Sequence, residues 1–148
     1  MTIPSMYDFA GGKEGLHDLE DHYYSLVLAD DVLKPLFGEG QSQHVDHLIA
    51  FTAESFGGPH SFSEKIGVAH LIDVHRGLRI SEPQRQRCVD LYLQALEEFG
   101  PGVDLAFREA VKSHVEFGSR VAMQNSNAVS EDELHPLCEV PIWRWVKD

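Results

Sequence analysis

Apolar residues recur along this chain at three- and four-residue steps, the spacing of one buried helix face. Leu16, Leu19, Tyr23, Leu26 and Val27 keep to it. The Gly11-Gly12 pair ahead of them predicts a turn into this first long helix, and Asp30-Asp31 marks its end. A short helical turn through Val32, Leu33, Leu36 and Phe37 follows, with Pro35 early enough to be tolerated. A second helix is predicted from Ser42, its N-cap, to Phe56, with Gly57-Gly58-Pro59 as the stop. It carries two apolar stripes. Val45, Ile49, Thr52 and Phe56 form one; His44, Leu48 and Phe51 form another, about 90° round at roughly 100° per residue. The first suits the protein core, and the second suits another helix or a ligand.

Residues 60 to 80 are less periodic. His60 to Lys65 reads as a loop with a short turn, and Leu71 to Arg76 as a short helix. Ser81-Glu82-Pro83 is a strong helix start. The third long helix runs from there to Phe99, with Val89, Tyr92, Leu96 and Phe99 on one face, and Gly100-Pro101-Gly102 ends it. Asp104 caps a fourth helix, whose stripe is Phe107, Ala110, Val111, His114, Gly118, Val121 and Ala122. After Asn125 the chain turns polar. Its closing Pro141-Ile142-Trp143-Arg144-Trp145 reads as a docking tail, not a fifth long helix. Alternating runs and Asn-Gly or Asp-Gly hairpin turns are missing. The expectation is an all-α fold of four substantial helices plus short ones, which helix bundles and globins both satisfy.

The 148 residues fit one domain, expected over residues 1–128, with residues 129–148 as an extension on or beside it. Acidic residues outnumber basic ones by 24 to 12, for a net charge of -12. That surface repels phosphate backbones and anionic membranes, so neither nucleic acid nor membrane is an expected partner. The first residues lack a basic start followed by an apolar run, and no apolar run is long enough to span a bilayer, so a cytoplasmic location is expected. Cys88 and Cys138 read as free thiols. The nine histidines are the unusual feature of the composition, because histidine serves both metals and proton chemistry.

Five signals resemble the truncated haemoglobins, specifically their second group, over about residues 5 to 126. Phe9-Ala10-Gly11-Gly12 is similar to the family's Gly-Gly joint, and His22-Tyr23-Tyr24-Ser25-Leu26-Val27 to its first long helix with the distal tyrosine. Val32-Leu33-Lys34-Pro35-Leu36-Phe37 resembles the segment whose aromatic wedges against the haem. Phe56-Gly57-Gly58-Pro59 is similar to the stop after the distal helix, and Val74-His75-Arg76-Gly77-Leu78-Arg79-Ile80 to the stretch with the proximal histidine. None is specific alone; their order and separation make the resemblance.

The resemblance implies a two-on-two helical sandwich around one haem b (iron protoporphyrin IX). It also implies reversible binding of oxygen and other diatomic gases such as NO and CO at a penta- or hexacoordinate iron. His75 is then the iron ligand, oriented by a partner on its other ring nitrogen; backbone carbonyls of the preceding turn are candidates. Tyr24 and His44 are the expected distal donors, since bound oxygen takes on negative charge that a donor stabilises. His44 reads alternatively as a swinging gate. Phe37, Leu48 and Phe51 supply apolar walls, and Arg79 and His47 are candidates for the propionates. Cys88 departs from the pattern. The second group usually has a donating tryptophan there, whereas a thiol is short and a weak donor, so a roomier distal site with faster ligand escape is expected. His114 reads as a satisfied core histidine.

Alternatives stand beside this reading. A redox enzyme on the same haem, consuming nitric oxide or peroxide, needs a separate reductase, because the chain shows no flavin or nicotinamide motif. His44 and His47 at helical spacing are also compatible with a metal-binding helical protein, or with a plain interaction bundle. Monomer and homodimer are both open.

Overall fold

The computed structural model describes residues 4–38, 40, 42–136 and 139–145. Cys138 lies outside the described residues, as does the side chain of Ser42 on which the capping expectation rests. Eight α-helices are present among the described residues: α1 (Met6–Phe9), α2 (Gly12–Leu28), α3 (Lys34–Phe37), α4 (Ser42–Ser55), α5 (Ser61–Lys65), α6 (Val68–His75), α7 (Glu82–Glu97) and α8 (Leu105–Asn127). There is no strand among those residues, and no helix is long and apolar enough to cross a membrane.

Local chemistry explains the boundaries. The Ser81 side chain accepts from the Gln84 N–H while Gln84 returns a bond to the Ser81 N–H, a reciprocal cap that starts α7 with Pro83 in its first turn. Asp104 caps α8 through the Phe107 N–H at 3.0 Å. Gly11 has φ of 95°, a left-handed conformation that a side chain disfavours, and it swings the chain from α1 into α2. Sequence periodicity does not reveal α1, because four residues are too few to repeat. Ser5 caps it by accepting from the Asp8 N–H at 3.0 Å.

Packing makes two layers of two. α2 lies on α4 and α7 on α8, and α2 meets α7 between the layers; α6 rests on α8. Leu16, Leu19, Phe56, Leu96, Phe107 and Val111 meet in one core and are essentially excluded from solvent. Burying such side chains contributes about 1.5–3 kcal/mol each.

Residues 139–145 are drawn onto this body. Trp145 is buried, with its ring centroid 4.7 Å from that of Phe9 and 5.7 Å from that of Phe107. Its Nε1 donates to the Pro4 carbonyl at 3.1 Å. The Trp143 N–H donates to the Ser55 carbonyl at 2.6 Å, and its ring lies against His114 at 5.3 Å and Phe117 at 5.5 Å.

Candidate functional site

The two stripes of α4 have different fates. Val45, Ile49, Thr52 and Phe56 are buried, whereas His44, Leu48 and Phe51 are only half-buried. The first stripe belongs to the contact with α2. The second leaves apolar surface incompletely covered.

At the N-terminal end of that second stripe an aromatic group assembles from three elements. The Tyr24 hydroxyl of α2 and the His44 Nδ1 of α4 are hydrogen-bonded at 2.5 Å. The Phe37 ring of α3 lies 5.8 Å from the Tyr24 ring and 6.3 Å from the His44 ring, both edge-on. Burial, and then the neighbouring charge site of His47, hold the His44 imidazole below its ordinary pKa. Gly40 presses against the same place. A Cβ there would stand 3.0 Å from the Tyr24 hydroxyl and 3.0 Å from Leu28 Cδ1, and its φ of 80° suits glycine.

His75 ends α6. Its Nδ1 donates to the Leu71 carbonyl at 2.8 Å. A carbonyl only accepts, so the proton sits on Nδ1, and Nε2 keeps its lone pair with no hydrogen-bond partner among the described residues. The loop after it is pinned to the end of α8. The Gly77 and Arg79 N–H groups both donate to the Ser126 carbonyl at 3.2 Å, and the Ile80 N–H donates to the Ser126 hydroxyl at 3.0 Å. Arg79 takes a φ of 53° there, unusual for a residue with a side chain, and that side chain is exposed. Val74 and Leu78, which flank His75 in sequence, are 50% and 38% exposed.

The other expected residues fall around these two centres. Phe51 packs on Phe62, in the cluster of Phe62, Val68 and Val140 against which Leu71 and Ile72 also pack, so α4 and the segment that carries His75 share one cluster. The half-buried His47 lies edge-on to His70, with ring centroids 5.8 Å apart. Cys88 is half-buried in a cluster with Val27, Leu33, Leu91 and Phe37. It shares that cluster with Tyr23, a pairing the sequence did not suggest, and burial raises its thiol pKa. His114 is buried, its Nε2 bonded to Ser55 Oγ at 2.9 Å, and burial pushes its pKa down to about 4.

Glu20 is a further residue that sequence reasoning missed. It is fully buried and accepts from the Tyr92 hydroxyl through Oε1 at 2.6 Å, while its Oε2 has no hydrogen-bond partner among the described residues. Burial raises its carboxyl to about 8. The available signal was a carboxylate on the buried stripe of α2, four residues after Leu16.

Residues 5–125 match the family model of bacterial-like globins. The chain belongs to that family. It is 29% identical over 82 residues to the group 1 truncated haemoglobin GlbN of Nostoc commune, a match covering 55% of this chain and 66% of that protein. It is 33% identical over 78 residues to the group 1 GlbN of Mycolicibacterium paratuberculosis, covering 52% and 54%. The chain thus spans roughly half to two thirds of these curated relatives. Among solved structures, the haemoglobin of Chloroflexus aurantiacus superposes with a TM-score of 0.73 at 28% identity, over 85% of this chain and 100% of that one. The group II truncated haemoglobin of Bacillus anthracis gives 0.75 at 23%, over 88% and 99%. The truncated oxygen-avid haemoglobin of Bacillus subtilis gives 0.70 at 24%, over 79% and 97%.

Globin membership implies a haem, and the residues present fit one. Haem iron takes a neutral imidazole nitrogen with a free lone pair, which Nε2 of His75 supplies. A porphyrin needs apolar surface left uncovered by the fold; Val74 and Leu78 are exposed, and Leu48 and Phe51 are half-buried.

Proposed function

We propose that this globin binds haem b through His75 and reversibly holds oxygen or another diatomic gas beside Tyr24 and His44, in the manner of a group II truncated haemoglobin. The observation that carries the reading is the orientation of His75. Its Nδ1–H is committed to the Leu71 carbonyl, which fixes the tautomer and turns Nε2 outward as the ligating atom.

The Tyr24–His44 pair supports the distal half. With its pKa lowered, His44 is neutral at neutral pH. With the proton on Nδ1, His44 donates to the Tyr24 oxygen, and the tyrosine hydroxyl is then a donor toward a diatomic ligand held beside it. When the proton sits on the His44 Nε2 instead, the tyrosine donates to Nδ1. The pair thus switches between holding a ligand and resting without one by moving two hydrogens. Phe37, Leu48 and Phe51 exclude water from the haem face. Arg79, which is exposed, and His47, which is half-buried, would pair with the propionates. Group II membership draws on the fold likeness to the Bacillus anthracis structure, while the sequence relatives carry the group 1 name.

The test is spectroscopic. Purified protein is expected to show a Soret band that shifts on oxygen and carbon monoxide binding, and His75→Ala to lose haem or change its axial coordination. A colourless protein, or unchanged axial coordination in the variant, overturns the reading. Mixing the oxygenated protein with nitric oxide, with and without a reductase, separates storage from turnover.

A further inference from the structure

The family match ends at residue 125, yet the chain beyond it returns to the centre of the molecule. Val140 is 5% exposed and forms a cluster with Phe62 of α5 and Val68 of α6. Leu71 and Ile72 of α6 and Phe51 of α4 pack on that same cluster. Leu71 is the residue whose carbonyl receives the His75 Nδ1–H. α6 is therefore held by α8 and by a cluster that Val140 helps to fill.

Fixed points secure Val140 on its C-terminal side. The Ser55 hydroxyl donates to the Pro141 carbonyl at 2.6 Å, so its oxygen is left to accept from the His114 Nε2–H. The Ser55 carbonyl accepts from the Trp143 N–H at 2.6 Å. Trp145 is buried against Phe9 and Phe107 and bonded to Pro4. Ser55, the last residue of α4, thus grips the tail with both of its oxygens directly after Val140.

We propose that residues 139–145 are a strap that positions the proximal histidine. Val140, locked in place by the Ser55 and Trp145 anchors, keeps the Leu71 turn of α6 in register with His75 and so sets the angle of the imidazole. Val140 acts through Leu71 and Ile72 and touches no reacting atom; it is a positioning residue. The inference rests on His75 being the iron ligand. It goes further by assigning the aim of that ligand to a segment outside the family match.

A strap that only adds stability would raise hydrogen exchange throughout the fold when cut. A positioning strap loosens α6 first. The experiment compares Val140→Ser and Val140→Ile in the full haem-loaded chain, with Ser55→Ala as a second route that leaves the apolar cluster intact. Val140→Ser is expected to speed amide exchange in residues 71–76 by about tenfold more than in α2 or α7. It is also expected to shift the iron–histidine stretching band of the ferrous protein, with Val140→Ile restoring both. Should Val140→Ser fail to fold, Ser55→Ala carries the same comparison. Equal exchange in α6 and α2, or an unshifted iron–histidine band, overturns the strap. A wild-type chain without a Soret band would instead remove the proposed function, and the strap with it.

Discussion

Tyr24 and His44 meet through a 2.5 Å hydrogen bond although 20 residues separate them in the chain. α2 supplies one partner and α4 the other, so the contact reports the register of those two helices. Removing the hydroxyl leaves the ring and its edge contact with Phe37 in place. Tyr24→Phe should therefore keep the fold and speed oxygen dissociation, by about tenfold for the loss of one charge-assisted bond. Stopped-flow displacement of oxygen by carbon monoxide measures it; an unchanged rate would remove Tyr24 from the distal site.

Gly40 sets the space that hydroxyl occupies. Gly40→Ala would place a methyl carbon 3.0 Å from it at a φ of 80°. The expected result is a loss of about 1 kcal/mol in stability together with faster oxygen release. A variant with normal release would show that the tyrosine does not depend on this backbone approach.

Two buried groups give stability a definite pH profile. Burial raises the Glu20 carboxyl to about 8 in the fold, against its ordinary 4.5. Its raised value favours the protonated fold, so its contribution is complete below about 4.5 and is lost as pH rises through 8. His114 goes the other way: its folded value near 4 lies below 6.5, so its contribution is present above 6.5 and is lost as pH falls towards 4. Each slope approaches about 1.4 kcal/mol per pH unit. From these two groups the sum is level between about 4.5 and 6.5 and falls between 6.5 and 8. Urea unfolding across that range checks it, and Glu20→Gln should abolish the alkaline fall. A fall that survives the substitution would assign it to another group.

Cys88 offers a test of room near Phe37, whose cluster it shares. Cys88→Trp should slow oxygen dissociation by supplying an indole donor and filling space beside the aromatic group. It also disturbs the packing of Tyr23 in the same cluster, so a melting curve must accompany the rate. An unaltered rate in a folded variant would dissociate Cys88 from ligand escape.

Much of the fold was legible because α2, α4, α7 and α8 each repeat apolar residues over several turns. The split stripe of α4 even announced a surface reserved for something other than the core. The histidine tether was readable only as a candidate, since nothing in a sequence says that Leu71 aims its carbonyl at Nδ1. α1 escaped because four residues carry no period. Glu20 escaped because its partner, Tyr92, arrives from another helix. Tyr23 beside Cys88 was hidden for the same reason: local spacing orders one helix face, and pairings between helices need the packed molecule.

The bond from Trp145 Nε1 to the Pro4 carbonyl bridges 141 positions. A ribosome delivers Pro4 early and Trp145 late. During synthesis α1 must therefore wait for most of the chain before that indole reaches it, and such distant pairings are the slow ones. A nascent chain stalled short of residue 145 should leave Phe9 open to a chaperone.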